Sequence, residues 1–230
     1  GSEGYKRQDN VATIEYAFRN RVEAEKYLFT CYSYLPVVCK ENDAPGRNTG
    51  DELWNCPYVL DGKRYYNLNR GQNLSDPYFN YWDGRQGGKD LYEALRNCNI
   101  FLENVENIKD LDTYERARWA AEVKFLKAYY HWYLAQLYGP IPIVKKNIPI
   151  SASTGEMQVY RDPFDDVVNY VVELIDEAIV DLPAKIESNL SEDGRITASI
   201  AYGMKAKILV TAASPLFNGN ADYTSFKDNR

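Results

Sequence analysis

Residues 54–82 combine aromatic rings with polar side chains in a pattern that could bind a small, flat, polar ligand. A Tyr or Trp ring is a large, stiff apolar face on which such a ligand can stack, and the hydroxyl or indole N–H adds a polar contact. The same rings could instead pack residues 54–82 onto neighbouring helices. This alternative applies most to Tyr81 and Trp82. The candidate ligand-binding residues are Trp54, Tyr65, Tyr66, Arg70, Asn73, Tyr78, Tyr81 and Trp82.

Catalytic chemistry finds little support in the sequence. His131 is the only histidine, which argues against a metal site with several histidines, and its neighbours Tyr130 and Trp132 favour a half-buried structural role. Asp165 and Asp166 are adjacent, and their position in the first turn of a predicted helix is explained by favourable interaction with the helix dipole. We therefore predict no catalytic residues, no metal and no cofactor.

The four cysteines are Cys31, Cys39, Cys56 and Cys98. No two of them have the C-x-x-C spacing of zinc sites and thioredoxin motifs. Cys31 and Cys98 fall on apolar faces of predicted helices, which favours buried, inert thiols. Cys39 and Cys56 flank one irregular loop and could be joined by a disulfide.

Charge and hydropathy exclude two further classes of protein. The 230 residues include 27 Lys and Arg against 33 Asp and Glu, a formal net charge of -6, so the basic surface that binds nucleic acid is not expected. No run of about 18 apolar residues is present to cross a bilayer as a helix. A hydrophobic fraction of 45% is enough for a packed core.

Apolar residues recur at spacings of three and four in five segments, each of which predicts an amphipathic helix. Asp112 and Glu115 have the spacing of a capping box, Gly139 ends the third segment, and Asp162 with Pro163 has the pattern of a helix start. The predicted helices cover residues 12–35, 91–108, 112–137, 162–182 and 197–214. The cationic residues of the third helix are predicted to lie on its solvated side: Arg116, Arg118, Lys124 and Lys127.

Successive amphipathic helices can stack as pairs, and the small residues of the fifth helix allow close approach. The pattern therefore predicts an all-α protein of tetratricopeptide-like stacked helix pairs. A long, irregular, aromatic-rich insertion (residues 39–88) separates the first two helices, and its aromatic content argues against disorder. A second insertion covers residues 139–161.

Three stretches together resemble one known family. The first is a helix and the turn after it, Arg116-Ala117-Arg118-Trp119-Ala120-Ala121-Glu122-Val123-Lys124-Phe125-Leu126-Lys127-Ala128-Tyr129-Tyr130, continuing through Leu134 to Tyr138-Gly139-Pro140-Ile141-Pro142-Ile143-Val144. The second contains Gly194-Arg195-Ile196-Thr197, Lys205-Ala206-Lys207 and Ala213-Ser214-Pro215-Leu216-Phe217-Asn218-Gly219. The third comprises Tyr92, Asn97, Asn99 and Phe101. They are similar to the SusD/RagB family of outer-membrane nutrient-binding lipoproteins.

The resemblance implies that residues 1–230 form the N-terminal helical-repeat domain of a fold that continues further in the family. It also implies a binding protein rather than an enzyme, located at the cell surface and held on the outer membrane by a lipid anchor that is missing from this chain. Its partners would be an oligosaccharide or other nutrient and a SusC-like TonB-dependent transporter that receives it.

On this interpretation, the eight residues between 54 and 82 are the expected ligand contacts. Sugar rings stack their flat C–H faces on Tyr or Trp, and their hydroxyls pair with Asn, Asp or Arg side chains. The alternative function is an intracellular helical-repeat scaffold that binds peptides in a groove.

Overall fold

The computed structural model describes residues 11–35, 90–148, 160–186 and 194–214. Among these residues the only β pairing is an isolated bridge between Ile141 and Asp162, and a 3-10 turn covers Val105–Asn107. Residues 11–17 are helical and precede the five main helices. These helices are α1 (Arg21–Tyr32), α2 (Leu91–Asn104), α3 (Thr113–Tyr138), α4 (Phe164–Ile179) and α5 (Ala198–Ala212).

Four of the helices begin at a side chain that accepts a hydrogen bond from a backbone N–H three residues later. This role belongs to Asn20, Asp90, Asp112 and Thr197. Such a cap satisfies a donor that has no partner within the helix and contributes about 1 kcal/mol. Gly139 ends α3 at a φ of 73°, a conformation that glycine adopts without steric cost.

The first predicted helix, residues 12–35, is interrupted at residues 18–20. The prediction of one continuous helix was therefore wrong. Asn20 has extended backbone angles and caps α1, a position that Asn favours over a helix interior. The interruption changes which side chains face the core: Phe18 is buried, whereas Val22 is exposed.

Consecutive helices pack against each other, which confirms the predicted all-α stack. The longest helix, α3, contacts α1, α2 and α4, and α4 also contacts α5. The largest fully buried side chains come from the helices that meet here and include Trp119, Trp132, Phe101 and Phe164. The aromatic-rich insertion of the prediction lies outside the described residues.

The solvated positions predicted for the cationic residues of α3 were largely wrong. Arg118 and Lys127 are buried, whereas Lys124 forms a partly exposed ion pair with Glu177 at 3.3 Å. The prediction assumed a single apolar stripe, but α3 packs against three other helices and has little solvated surface. Long cationic side chains then contribute through their apolar stems as well as their charge.

Arg116 is engaged with the backbone of the connection between α2 and α3. Its guanidinium donates hydrogen bonds to the carbonyl oxygens of Val105, Ile108 and Leu111 at 2.6, 2.8 and 2.9 Å. Carbonyls at a helix end have no partner within the helix. One side chain thus holds the end of α2 and the following turn against α3.

The capping box predicted at the start of α3 forms in part. Asp112 accepts the N–H of Glu115 at 2.8 Å, as expected. The Glu115 carboxylate accepts two hydrogen bonds from the guanidinium of Arg21, at 2.7 and 2.9 Å. The side chain expected to complete a local cap therefore ties α3 to α1.

The start of α4 also differs from the prediction. Pro163 takes the capping position and Phe164 is the first helical residue, so Asp162 is not the cap. The Asp162 carboxylate accepts the N–H of Ile143 at 2.9 Å, and its own N–H donates to the Ile141 carbonyl at 2.9 Å. Asp162 therefore anchors the segment after α3 to the segment before α4.

A buried ion pair joins α3 to the approach of α5. The Arg195 guanidinium donates to both carboxylate oxygens of Glu122 at 2.7 Å, and the Glu122 side chain is 0% exposed. Tyr32 of α1 donates to the same carboxylate at 2.7 Å and accepts the N–H of Ile196 at 3.1 Å. Two of the family-like stretches thus meet in one buried polar network.

Candidate functional site

All eight sequence-predicted site residues lie within residues 36–89, outside the described residues, and so do Cys39 and Cys56. The structure does describe the chain on both sides of this segment, from α1 to Leu35 and from Asp90 onwards. The geometry that positions the segment can therefore be read from its two flanks.

The two flanks of residues 36–89 are in contact. Tyr34, just before the segment, accepts a hydrogen bond from the Asn97 amide nitrogen at 2.9 Å. Tyr27 of α1 donates to the Asn97 amide oxygen at 2.8 Å. The aromatic-rich segment therefore leaves and re-enters the helical scaffold at one place, the junction of α1 and α2.

Burial moves the pKa of both tyrosines of this junction further above neutral pH. It raises the pKa of Tyr34 to about 12 and the pKa of Tyr27 well above its usual range, because a phenolate is poorly solvated there. Each hydroxyl can thus donate one hydrogen bond and accept others. The Asn97 side chain uses its oxygen for Tyr27 and its nitrogen for Tyr34.

We expect Asn97→Ala to lower the free energy of unfolding by about 1–3 kcal/mol, because two half-buried tyrosine hydroxyls each lose a hydrogen-bond partner. Amide hydrogen exchange of the full-length protein should also accelerate around residues 34 and 93. Asn104→Ala is the matched control, since Asn104 lies on the same helix and its side chain bonds the Ile100 carbonyl and the Asn107 amide, neither of which belongs to the junction. Equal exchange at the junction in both variants would contradict the anchoring role.

A second asparagine of α2 holds the segment that follows α3. The Asn99 amide donates to the side-chain oxygen of Asn147 at 3.1 Å and to the Val144 carbonyl at 3.4 Å. Asn147 in turn donates to the Arg96 carbonyl at 3.1 Å. Two asparagines two residues apart on α2 therefore hold the flanks of residues 36–89 and the segment that follows α3.

His131 has a structural role, as predicted, but it is fully buried rather than half-buried. Its Nδ1 lies 2.7 Å from the Lys127 carbonyl, and its Nε2 accepts the N–H of Val144 at 3.0 Å. These partners require a neutral ring with the proton on Nδ1. Burial lowers the pKa of His131 to about 4, so the ring holds residues 141–148 against α3 in its neutral form.

Lys127 lies one turn before His131 and donates to the Lys145 carbonyl at 2.8 Å. Burial lowers its pKa to about 8, because the ammonium is partly removed from water. The ammonium nitrogen lies 5.8 Å from the centre of the Tyr170 ring. Lys127, His131 and Tyr170 therefore form a packed, hydrogen-bonded floor beneath the segment after α3.

A polar cleft of about 440 Å³ opens beside this floor, between α4 and the segment after α3. At the edge of the cleft, the Lys145 ammonium lies 5.3 Å from the centre of the Tyr170 ring. The cleft offers mainly carboxylate and amide groups, which suit hydrogen bonding to a polar molecule. Its lining residues are Ile143, Lys145, Asp162, Asp166, Asn169, Tyr170 and Glu173.

This cleft was not predicted from the sequence. The available signal was the recurrence of Asp166, Asn169 and Glu173 at spacings of three and four, which places them on one side of α4. Lys145 and Asp162, which complete the lining, lie in a predicted insertion and at a predicted cap, where no periodicity links them to α4.

None of the helices in the described ranges has the length and apolar character needed to cross a membrane. The same part of the chain contains no group of three or more His, Cys, Asp or Glu side chains placed to hold a metal ion.

Known proteins match both the sequence and the fold. Residues 57–210 match the SusD-like family described as starch-binding and associating with the outer membrane. The SusD-like protein P25 of Formosa agariphila is 29% identical over 121 residues, which cover 52% of this chain and 22% of that protein.

Two solved structures extend the comparison. The protein BT4246 is 30% identical, with a TM-score of 0.69 over 89% of this chain and 33% of that protein. A laminarin-binding SusD-like protein shares the fold, at 20% identity, with a TM-score of 0.63 over 84% of this chain and 40% of that protein. The chain thus spans about a third of the length of the first of these. Since the family match covers well over half of the sequence, the chain belongs to the SusD-like family.

Proposed function

We propose that this protein binds a carbohydrate at the cell surface, on the outer membrane, and that residues 1–230 act as its N-terminal helical-repeat domain. The observation that carries the proposal is the family match across residues 57–210, a range that includes most of the aromatic-rich segment. The contact between the flanks of that segment, through Tyr34 and Asn97, gives it a fixed base on the scaffold.

The ligand contacts in this proposal are the eight residues predicted from the sequence. Four rings, those of Trp54, Tyr65, Tyr66 and Tyr78, supply stacking faces for sugar rings. Arg70 and Asn73 supply hydrogen bonds to the hydroxyls of the sugar rings. Tyr81 and Trp82, which precede α2 in the sequence, complete the set. Starch and laminarin oligosaccharides are suitable first probes, because related proteins are described as binding these glucans.

A binding role rather than catalysis is also supported by how the described ionisable residues are used. His131 is neutral and bonded on both nitrogens, and Glu122 is bonded to Arg195 and Tyr32. A general base must reach a substrate proton. Residues committed to buried structural bonds do not fit that requirement.

Single replacements of the stacking rings should weaken glycan affinity about ten- to a hundredfold, because each ring contributes one to a few kcal/mol. Titration calorimetry of full-length Trp54→Ala, Tyr65→Ala, Tyr66→Ala and Tyr78→Ala measures this directly. A variant of the polar cleft, Asn169→Ala with Glu173→Ala, is the control, since both residues are exposed and lie outside the proposed platform.

The control variant should bind as tightly as the unmodified protein. If all four ring variants retained full affinity, the proposed platform would be wrong. If the cleft variant alone lost affinity, the carbohydrate site would lie between α4 and the segment after α3 instead.

Delivery of the ligand to a TonB-dependent, SusC-like transporter is the second part of the proposal. The description of the family as associating with the outer membrane supports this part of the proposal. Affinity purification of the lipid-anchored protein from its native membrane, in mild detergent, should recover such a barrel protein in stoichiometric amount. Recovery of the protein alone, with nutrient uptake intact after deletion of the barrel gene, would contradict delivery.

The alternative function, an intracellular helical-repeat scaffold, makes a different demand on the gene. A surface lipoprotein requires a signal peptide followed directly by a cysteine, whereas an intracellular scaffold requires neither. The upstream coding sequence separates the two, and the outer-membrane association of the family favours the lipoprotein.

A further inference from the structure

Cys31 and Cys98 meet in the core although they belong to different helices. Cys31 lies on α1 and Cys98 on α2, and both side chains are 0% exposed. The two thiols lie close enough for each to affect the other's electrostatics. The contact between α1 and α2 is reinforced on either side, because Tyr27 bonds Asn97 at 2.8 Å and stacks on Phe101 with ring centres 6.4 Å apart.

We propose that Cys31 and Cys98 form a redox site that is oxidised to a disulfide when the protein folds in an oxidising compartment. Both are free thiols in this structure. Sequence spacing gives no indication of the pair, since the cysteines are separated by the whole aromatic-rich segment. Their contact becomes evident only when α1 packs on α2.

The oxidant is a disulfide, either glutathione disulfide or a protein thiol-disulfide oxidase. The thiolate of one cysteine attacks the oxidant disulfide, forms a mixed disulfide and releases one oxidant thiol. The second cysteine thiolate then attacks the protein sulfur of the mixed disulfide and releases the other oxidant thiol. Two electrons and two protons pass from the cysteine pair to the oxidant, which is reduced to thiols.

Burial determines when this reaction takes place. It raises the pKa of the Cys98 thiol well above its usual range, and a buried thiol reacts slowly because the thiolate is the nucleophile. Oxidation therefore belongs to folding, before the core around α1 and α2 closes. Once formed, the bond is shielded from reductants by the same packing.

The disulfide would join the two helices that flank residues 36–89 and so pin the base of the proposed ligand platform. Closing a loop from residue 31 to residue 98 restricts the unfolded chain strongly, because the stabilisation grows with loop length. For a protein of this size we expect the oxidised form to melt roughly 10 °C above the reduced form.

Refolding the full-length protein in a glutathione redox buffer tests this proposal without any assumption about localisation or ligand. Non-reducing peptide mapping should identify a peptide that links Cys31 to Cys98, and reduction should lower the melting temperature. The shift should persist in Cys39→Ser with Cys56→Ser and disappear in Cys31→Ala with Cys98→Ala. Free thiols at 31 and 98 in the refolded protein, or an equal redox shift in the Cys31→Ala, Cys98→Ala variant, would overturn the proposal.

Discussion

Replacing Arg195 by Met should lower the free energy of unfolding by about 3–5 kcal/mol. The change removes both hydrogen bonds to Glu122, whose carboxylate is 0% exposed, and leaves it with the Tyr32 hydroxyl as its remaining described partner. A buried charge without its counter-ion is among the most costly changes to a protein core. Denaturant unfolding of the two proteins measures the difference.

A matched exposed pair provides the control for this prediction. Lys205 and Asp176 are 2.6 Å apart, but their side chains are 31% and 51% exposed, so Lys205→Met should cost less than about 1 kcal/mol. Adding Glu122→Gln to Arg195→Met should recover part of the lost stability, because the uncompensated charge is removed. Equal losses for Arg195→Met and Lys205→Met would show that the buried network contributes little.

Stability should also fall as the pH drops from about 6.5 to 4, and His131 should account for about 3 kcal/mol of that loss. In the unfolded chain the pKa of His131 is near 6.5. In the folded protein, burial lowers the pKa of this side chain to about 4. Between these values the unfolded state binds a proton that the folded state does not, so acid favours unfolding. The stabilisation is complete above pH 6.5.

His131→Gln separates this contribution from the carboxylates that titrate in the same range. The difference in unfolding free energy between the unmodified protein and this variant should change by about 3 kcal/mol between pH 7 and pH 4. Lys127 does not contribute in this window, since its pKa of about 8 keeps it protonated in both states. A pH-independent difference would contradict a neutral, buried His131.

The helices were largely predictable because their signals are local. Asp112 and Thr197 cap α3 and α5 where the sequence placed the helix starts, and Gly139 ends α3. The structural role of His131 followed from its apolar neighbours. These features depend on residues within one or two turns of each other, which a single sequence displays directly.

Features that depend on distant residues were not predictable from periodicity. The apolar pattern of α3 predicted solvated positions for its cationic residues, but Lys127 and Arg118 are buried. The contact between Glu122 and Arg195 joins residues that are 73 positions apart. The polar cleft likewise joins α4 to a segment before it, and no spacing rule connects such partners. Whether Trp54 to Trp82 form one platform remains a prediction.

The most direct test of the central claim is hydrogen-exchange mass spectrometry of the full-length protein with and without an oligosaccharide that it binds. Starch and laminarin oligosaccharides are the first probes, because the family and a related structure are described by these glucans. We predict that ligand slows exchange chiefly in residues 54–82, with little change in α3 and α4. Slower exchange confined to residues 141–148 and 162–173, with residues 54–82 unchanged, would contradict the claim that the aromatic-rich segment is the binding site.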